Sequence, residues 1–202
     1  MARLTGYFDR YASEQARAAS VRAAECLGAV EEIELPEAQR ARAAAFIITA
    51  AEGGARHLQT LKDHYAQFEP HSRDRFLAGA LTPAGWYLKA QRLRRWFRER
   101  VAEIFTRYDV LIAPATPVSA TPIGTEWIEL GGETLPLRAS MGLFTQPVSF
   151  IGLPVVAAPI AGPGLPIGVQ LIAAPWREDL CFAAASKLEL AGVARSRIVS
   201  RD

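Results

Sequence analysis

Apolar and polar positions alternate with two different periods, and the change of period divides the chain into a helical first half and a strand-rich second half. In the first half, apolar residues recur every three or four positions, which is the spacing of amphipathic helices. A helix is predicted over 14–27, because Ser13 can cap its start and Gly28 can end it. The next is predicted from Pro36, a residue suited to a first helical turn, to the glycine pair at 53–54.

The most periodic segment, 82–107, is predicted to form one long helix. Thr82 is placed to cap this helix, and Pro83 fits its first position. At 1.5 Å per residue the helix would span roughly 39 Å. Its apolar stripe is expected to consist of Trp86, Leu93, Trp96, Phe97, Val101, Ile104 and Phe105.

Arginines are concentrated on the same helix between 92 and 100, where they mix with aromatic residues as in some nucleic-acid contacts. Helical periodicity favours a different interpretation, in which the cations occupy the polar face and pair with carboxylates such as Glu99 and Glu103. We therefore expect a solvated face or a protein contact here, and no nucleic-acid binding.

Short apolar runs typical of buried strands begin at residue 109. Strands with both faces buried are predicted at 109–114, 155–159 and 167–174. The residues at 162–166 predict a turn, and the Pro-rich segment 114–122 predicts an ordered loop. In the first half, the alternating segment 30–35 predicts a half-buried strand.

The remaining elements complete an α/β pattern. The glycine pair at 131–132 predicts a small hairpin. A closing helix is predicted over 178–190, with an apolar face of Leu180, Phe182, Ala183 and Leu188. The pattern predicts an α/β fold with buried strands in a parallel or mixed sheet and helices beside it. We divide this single domain into a mainly helical part with one or two strands (1–108), a sheet-forming part with its loops (109–194) and a polar tail (195–202).

Composition and charge narrow the function classes. Apolar residues make up 50% and charged residues 22% of the 202, which is ordinary for a folded globular protein. The net charge of +2 predicts no general affinity for nucleic acid or membranes. Cys26 and Cys181 are expected to be reduced, buried thiols, and the first residues lack a secretion signal, so we expect a cytoplasmic protein.

Residues with possible chemistry are few. His57, His64 and His71 are spaced two helical turns apart, or about 10 Å, which is too far for ligands of one metal ion. Ser149 lacks the Gly-x-Ser-x-Gly setting of a strained nucleophile, and no downstream histidine could activate it. The glycine-rich loops lack phosphate-binding spacing. We predict no catalytic residue, metal or cofactor within this chain.

Two segments carry a family resemblance. Residues 144–159 read Phe-Thr-Gln-Pro-Val-Ser-Phe-Ile-Gly-Leu-Pro-Val-Val-Ala-Ala-Pro, and residues 164–174 read Gly-Leu-Pro-Ile-Gly-Val-Gln-Leu-Ile-Ala-Ala. With the strand and Thr-Pro loop at 108–117, they resemble the C-terminal part of amidase-signature enzymes. Further segments, Glu34-Leu-Pro, Ala50-Ala-Glu-Gly and Gly85-Trp-Tyr-Leu-Lys-Ala-Gln-Arg, resemble the branch of AtzE-like amidohydrolases, which includes 1-carboxybiuret hydrolase.

The resemblance also shows what this sequence lacks. Amidase-signature enzymes use a Ser nucleophile, a second Ser and a Lys on a Gly-Ser-Ser-Gly-rich segment of their N-terminal half. This chain has no Ser-Ser pair, and Lys62, Lys89 and Lys187 match no part of that motif. The residues after Met1 resemble the strand that follows the catalytic half. The resemblance implies an α/β fold fragment with a mixed β-sheet flanked by helices and pocket loops within 109–194, incomplete without an N-terminal half. We expect this chain alone to be inactive.

The resemblance suggests a substrate-binding role for part of the chain. Thr145 and Gln146 open the loop expected to face the acyl-side pocket for a small amide. In related amidotransferases that form glutaminyl-tRNA, an acidic residue holds the amino group of glutamine, and Gly142 occupies the matching place here. This makes glutamine doubtful as a substrate. Arg75 is a weaker candidate for holding a substrate carboxylate, with a surface helix arginine as the alternative.

These observations predict part of an amidase-family hydrolase that forms an acyl-enzyme on serine when intact. The alternative is a non-catalytic binding or regulatory module that pairs with a separate catalytic chain or a small accessory subunit. Buried strands without their N-terminal neighbours would leave open sheet edges, so self-association is also expected.

Overall fold

The structure, a computed structural model, describes residues 1–162 and 164–196, with the backbone alone at position 71. The chain separates into two compact units, the first made of 1–36 with 100–202 and the second of Glu37–Glu99. The division of one domain into three parts stays a prediction. Part of the expected turn at 162–166, namely Pro163, and most of the expected tail, 197–202, lie outside the described residues.

The first unit is built on a mixed sheet, as predicted. In chain order the strands are β1 (Ala2–Leu4), β2 (Glu31–Ile33), β3 (Val110–Pro114), β4 (Trp127–Leu130), β5 (Glu133–Pro136), β6 (Val155–Ile160) and β7 (Ile167–Ala173). The sheet has the order β2-β1-β3-β7-β6. β1 is parallel to β2 and β3, whereas β7 is antiparallel to β3 and β6. β4 and β5 form the predicted hairpin through Gly131 and Gly132, both of which have positive φ angles.

Most of the helices lie in the first half of the chain, where apolar residues recur at helical spacing. The helices are α1 (Tyr7–Tyr11), α2 (Glu14–Leu27), α3 (Ala38–His64), α4 (Pro70–Ala80), α5 (Ala84–Ile104), α6 (Leu137–Ser140), α7 (Gln146–Ser149) and α8 (Glu178–Leu190). A single 3-10 turn, Tyr65–Gln67, lies between α3 and α4. α2 confirms the predicted caps, since the Ser13 hydroxyl accepts from the Ala16 N–H and Gly28 adopts a left-handed conformation.

Burial along the sheet confirms two of the three predicted core strands. Every residue of β3 is buried, and β7 is buried except for Gly168. The prediction was wrong for β6, which is an edge strand with alternating exposed positions. Pro159 suits an edge because it cannot donate to a further strand. β2 is shorter and more exposed than the half-buried strand predicted at 30–35, since its two glutamates face solvent.

The closing helix α8 has the predicted bounds but a different buried face. Phe182 is 65% exposed, whereas Cys181, Ala184 and Leu188 are buried. These three residues follow the i, i+3, i+7 spacing of one helical face. The predicted face was correct at Leu188 but wrong at Phe182 and Ala183, because this helix is apolar on more than one side and composition alone did not identify the face that packs.

A buried arginine joins β1, β2 and α1. The guanidinium of Arg3, 6% exposed, donates to both carboxylate oxygens of Asp9 at 2.7 and 2.9 Å. It also donates to Glu32 at 2.7 and 3.0 Å. The Asp9 hydrogen bonds and the Glu32 contacts hold the pKa of Arg3 above its ordinary value against the desolvation that opposes it. Arg3 therefore stays charged and ties the edge strand β2 to the sheet.

In the second unit, α3 does not end at the predicted glycine pair. α3 continues ten residues further to His64. Gly54 lies inside the helix, at the point where α4 crosses α3 closely. A Cβ at Gly54 would lie 2.2 Å from the Ala80 nitrogen, and a Cβ at Gly79 would lie 1.8 Å from the Ala50 oxygen. Gly54 and Gly79 thus permit a close helix crossing, and Gly54 is not a stop signal here.

The long helix α5 was predicted correctly as an element but not in all its contacts. The Thr82 hydroxyl donates to Ala78, and the first backbone bonds of α5 go to the Pro83 carbonyl, so Thr82 is not the cap. Trp86 and Trp96 are 59% and 39% exposed and thus lie outside the buried stripe. The expected ion pairs are confirmed: Arg95–Glu99 at 3.0 Å and Arg100–Glu103 at 2.7 Å.

Candidate functional site

An uncharged cleft of about 410 Å³ lies at one end of the sheet of the first unit. It is lined by the loop after β3, the last residues of β6 and the start of β7, including Thr116, Ser119 and Gly168. β3 runs parallel to β1, so this is the carboxyl end of both strands, where open α/β sheets place their ligands. The sheet topology therefore makes this cleft the candidate site.

The described residues that line the cleft offer hydroxyl and backbone groups and no ionisable side chain. Among the described residues that line it, Thr116 and Ser119 are the polar ones, and the others are alanine, valine, proline, methionine, isoleucine and glycine. The Thr116 hydroxyl donates to the Val118 carbonyl at 2.8 Å, which orders the loop. Such a lining can hold a small uncharged group, whereas proton transfer would need a side chain from elsewhere.

A buried amide fixes the loop that borders the cleft. Gln170, 2% exposed, donates from Nε2 to the carbonyls of Pro114 at 2.9 Å and Phe144 at 3.1 Å. It thereby joins the end of β3 to the loop that contains Met141 and Phe144. Met141 of this loop lines the cleft. Gln170 is the glutamine of the segment 164–174 that carries the family resemblance, and it positions the loop without lining the cleft.

A second anchor lies one residue earlier in the same loop. The Tyr7 hydroxyl, just after the carboxyl end of β1, donates to the Leu143 carbonyl at 3.1 Å. Phe144 is fully buried, and its ring packs 5.4 Å from that of Phe8 and 6.2 Å from that of Tyr7. Neighbouring carbonyls are thus held from both sides, so the loop is preorganised before any ligand binds.

The predicted substrate-binding residues Thr145 and Gln146 follow directly after these anchors. Thr145 is exposed and its hydroxyl donates to the Gly142 carbonyl at 3.5 Å, while Gln146 is half-buried. The Gln146 side chain folds back over Gly142, where an added Cβ would lie 3.2 Å from its Cδ and Nε2. Neither residue lines the cleft itself, although Met141 of the same loop does. Their role in substrate binding stays a prediction.

Arg75, the weaker candidate, belongs to the second unit. It lies on α4 with an exposed side chain, and its guanidinium carbon is 5.0 Å from the centre of the Phe46 ring. An arginine over an aromatic face is a common surface arrangement. Binding of a substrate carboxylate by Arg75 therefore stays an untested prediction.

The other residues singled out for chemistry have structural surroundings. The His57 ring lies 4.8 Å from the Phe76 ring, and Ser149 is exposed at the end of α7. In the part of the chain that the structure describes, no three His, Cys, Asp or Glu side chains are grouped as metal ligands would be. Both cysteines are free; Cys181 is buried, but Cys26 is only half-buried, contrary to expectation.

The Gln170 amide and the Tyr7 hydroxyl were not expected as parts of a site. A signal existed for Gln170, because it is the one hydrogen-bonding side chain in the apolar strand 167–173. Buried amides need partners, so an amide in such a strand indicates a structural contact. Tyr7 gave no such signal, since its partner lies 136 residues away along the chain.

No helix within residues 1–162 and 164–196 combines the length and the apolarity needed to cross a membrane.

Comparison with known proteins gives consistent matches over this chain. The family model described as Amidase matches residues 12–182. The AtzE subunit of 1-carboxybiuret hydrolase from Pseudomonas sp. (strain ADP) is 55% identical over 195 residues, which are 95% of this chain and 43% of that protein. The A subunit of glutamyl-tRNA(Gln) amidotransferase from Syntrophomonas wolfei subsp. wolfei (strain DSM 2245B / Goettingen) is 32% identical, over 91% of this chain and 42% of that protein.

Solved structures match over a similar share. A structure from "an unexpected vestigial protein complex", described in connection with the origins of an s-triazine catabolic enzyme, superposes with a TM-score of 0.94. It is 54% identical and covers 98% of this chain and 44% of its own. A crystal structure of an amidase gives a TM-score of 0.87 at 26% identity, covering 96% of this chain and 45% of its own. The chain thus spans less than half the length of these relatives.

Proposed function

This chain belongs to the amidase family, and on that basis we propose that it forms the C-terminal part of a hydrolase that cleaves C–N bonds of a small linear amide. In this proposal it supplies sheet strands and the acyl-side pocket. The serine nucleophile, the second serine and the lysine come from sequence outside this chain. The intact enzyme would form an acyl-enzyme on serine and hydrolyse it with water.

The observation that carries the proposal is the uncharged cleft at the carboxyl end of β1 and β3, bordered by an anchored loop. Hydroxyl and backbone groups suit a neutral amide, which offers donors and acceptors without a charge. The absence of an ionisable side chain among the described lining residues supports a binding role and not a catalytic role for this part of the chain. The similarity to AtzE over 95% of the chain supports the substrate class.

Thr145 and Gln146 are proposed to contact the substrate from the anchored loop. The Gln146 amide fills the space beside Gly142, where an acidic side chain would have to lie. A carboxylate for the amino group of an amino-acid amide is therefore missing at this position. This supports a substrate without an α-amino group. Arg75 is proposed to attract a substrate carboxylate.

Complementation tests the proposal directly. The purified chain alone should release no ammonia or amine from a panel of small linear amides, including biuret derivatives. Co-expression with the part of Pseudomonas AtzE that lies outside the matched region should restore hydrolysis. A catalytic-serine variant of that AtzE segment is the matched control and should give none. Hydrolysis by the chain alone, abolished by a substitution within it, would refute the proposal.

A second function is favoured by one observation. A relative 54% identical to this chain was solved as part of a protein complex. We propose as the alternative that this chain is a non-catalytic binding module that pairs with a separate catalytic chain or a small accessory subunit. Native mass measurement distinguishes the two. A stable 1:1 assembly with an unrelated catalytic chain would favour the module, and active complementation by the AtzE segment would favour the enzyme part.

A further inference from the structure

A groove of about 430 Å³ runs between α3 and α5 of the second unit, separate from the cleft of the first unit. Its lining includes small side chains, Ala43 and Ala44 on α3 and Ala90 on α5. Because alanine side chains are short, they leave an open channel between the two helices. The groove is therefore formed by the helix pair itself.

The larger residues that line the groove are mostly apolar, and one of them is unusually exposed. Ile47 of α3 and Leu93 of α5 line the channel, and Trp86 borders it with 59% of its surface exposed. Tryptophan is enriched among the residues that contribute most to protein interfaces. An exposed tryptophan beside an apolar channel indicates a surface that another molecule covers.

Positive charge accompanies the apolar channel. Arg40 and Lys89 are its charged lining residues, and both have exposed side chains. The Arg40 guanidinium pairs with the Glu37 carboxylate at 3.2 Å, an exposed pair of little energy that a partner carboxylate can replace. Between 37 and 99 the sequence has eleven lysines and arginines against six aspartates and glutamates, although the whole chain is only +2. The unit that contains the groove therefore attracts negative charge, whereas the rest of the chain has an acidic excess.

We propose that this groove binds an acidic amphipathic helix of a partner protein, with apolar side chains in the channel and carboxylates against Arg40 and Lys89. The apolar lining favours a helix with anchors at i, i+3 or i+4, and i+7. A single strand of nucleic acid would need a continuous track of cations and several stacking aromatics, whereas the described residues lining this groove include two cations and one aromatic residue. A membrane surface would be met by a protruding apolar face and not by a concave one. Binding at this groove is separate from the hydrolase function and does not depend on it.

The test uses the full chain and a synthetic helical peptide of about 18 residues, long enough to form a helix, with leucines at i, i+4, i+7 and i+11 and glutamates on its other faces. A second peptide has lysine in place of every glutamate. Binding is measured by calorimetry, and circular dichroism checks that each variant is folded. Wild-type chain should bind the acidic peptide, and bind the basic peptide at least ~10-fold more weakly.

Charge reversal locates the site. The double substitution Arg40→Glu with Lys89→Glu should weaken acidic-peptide binding at least ~10-fold and strengthen basic-peptide binding. The matched control, Arg56→Glu with Lys62→Glu, makes the same change of net charge at exposed positions of α3 outside the groove, and it should change binding less than ~3-fold.

Aromatic truncation locates the apolar contact. Trp86→Ala should weaken acidic-peptide binding at least ~10-fold, whereas Trp96→Ala, on the same helix but outside the groove, should not.

Four outcomes would overturn the proposal. No binding of the acidic peptide would do so, as would equal losses in the groove variant and its charge control, because the attraction would then be non-specific. Binding of anionic lipid vesicles without binding of the peptide would identify a membrane surface. A chain dimer that dissociates on Arg40→Glu with Lys89→Glu would identify a second copy as the occupant.

Discussion

Replacing Gln170 by leucine removes a donor while keeping a side chain of similar size. The Pro114 and Phe144 carbonyls then each lose a buried hydrogen bond. An unsatisfied buried carbonyl costs about 1–3 kcal/mol, and the apolar side chain returns roughly 1 kcal/mol. With two carbonyls affected, we expect a net destabilisation of about 1–5 kcal/mol, a substantial part of the ~5–15 kcal/mol that stabilises a typical domain.

Urea unfolding followed by circular dichroism measures this effect. Gln170→Leu should lower the midpoint without changing the slope. The control is Gln15→Leu, because Gln15 donates to the Leu165 carbonyl at 3.0 Å in an exposed position where water can replace it. Its cost should stay below ~0.5 kcal/mol. Equal effects of the two substitutions, or a loss below ~1 kcal/mol for Gln170→Leu, would refute the argument from burial.

Gln170→Glu tests the need for a donor by pH. An ionised carboxylate cannot donate to two carbonyls, whereas the protonated acid can donate to one. Burial raises the pKa of the introduced carboxyl group in the folded state. The protonated form, which stabilises the fold, is therefore fully present below the unfolded-state pKa of ~4.3 and is lost as the pH rises through the folded-state pKa. The deficit relative to wild type should therefore shrink as pH falls from about 7 to 5. A pH-independent deficit would contradict this reasoning.

Three other predictions test the fold. Gly79→Ala should destabilise the fold by about 1–3 kcal/mol, because the added Cβ would lie 1.8 Å from the Ala50 oxygen. Gly85→Ala is the control, since the space around Gly85 is open, and it should be neutral or stabilising by up to ~1 kcal/mol. Thermal unfolding compares the two variants. Arg3→Met should cost about 3 kcal/mol by leaving two carboxylates together, and chemical denaturation measures the loss. Burial raises the pKa of the Cys181 thiol, so stability should fall as pH rises above its ordinary 9.0, because the unfolded thiol ionises first. Cys181→Ala should remove that part of the pH dependence in unfolding curves.

Helices and strands could be predicted where local sequence signals mark their burial or their ends. The strand β3 and the helix α2 were identified correctly because buried runs and end caps are local signals. The end of α3 was not, because a glycine pair can stop a helix or permit a close crossing. The deciding partner is Gly79, on the next long helix and far from Gly54 in sequence. Tertiary contact therefore decided what local sequence left open.

The site was predictable only in outline. The family pattern indicated that the loop at 144–146 and the strand after it form part of a pocket, but it did not indicate which side chain holds the loop. Gln170 has that role because β7 lies beside β3, so its amide reaches the Pro114 carbonyl. Tyr7 reaches the loop because β1 is the other neighbour of β3. Both contacts depend on strand order, which period-2 patterns do not encode.

The strand order also changes the physical basis for self-association. The buried strand β3 has both neighbours, β1 and β7, within this chain. Of the two edges, β2 is three residues long and carries two exposed glutamates, and β6 is partly covered where Arg195 donates to the Pro159 carbonyl. Short, charged or covered edges resist pairing with another chain. Association through open edges of this sheet therefore loses much of its driving force, and the apolar groove between α3 and α5 becomes the stronger candidate for contact with a partner.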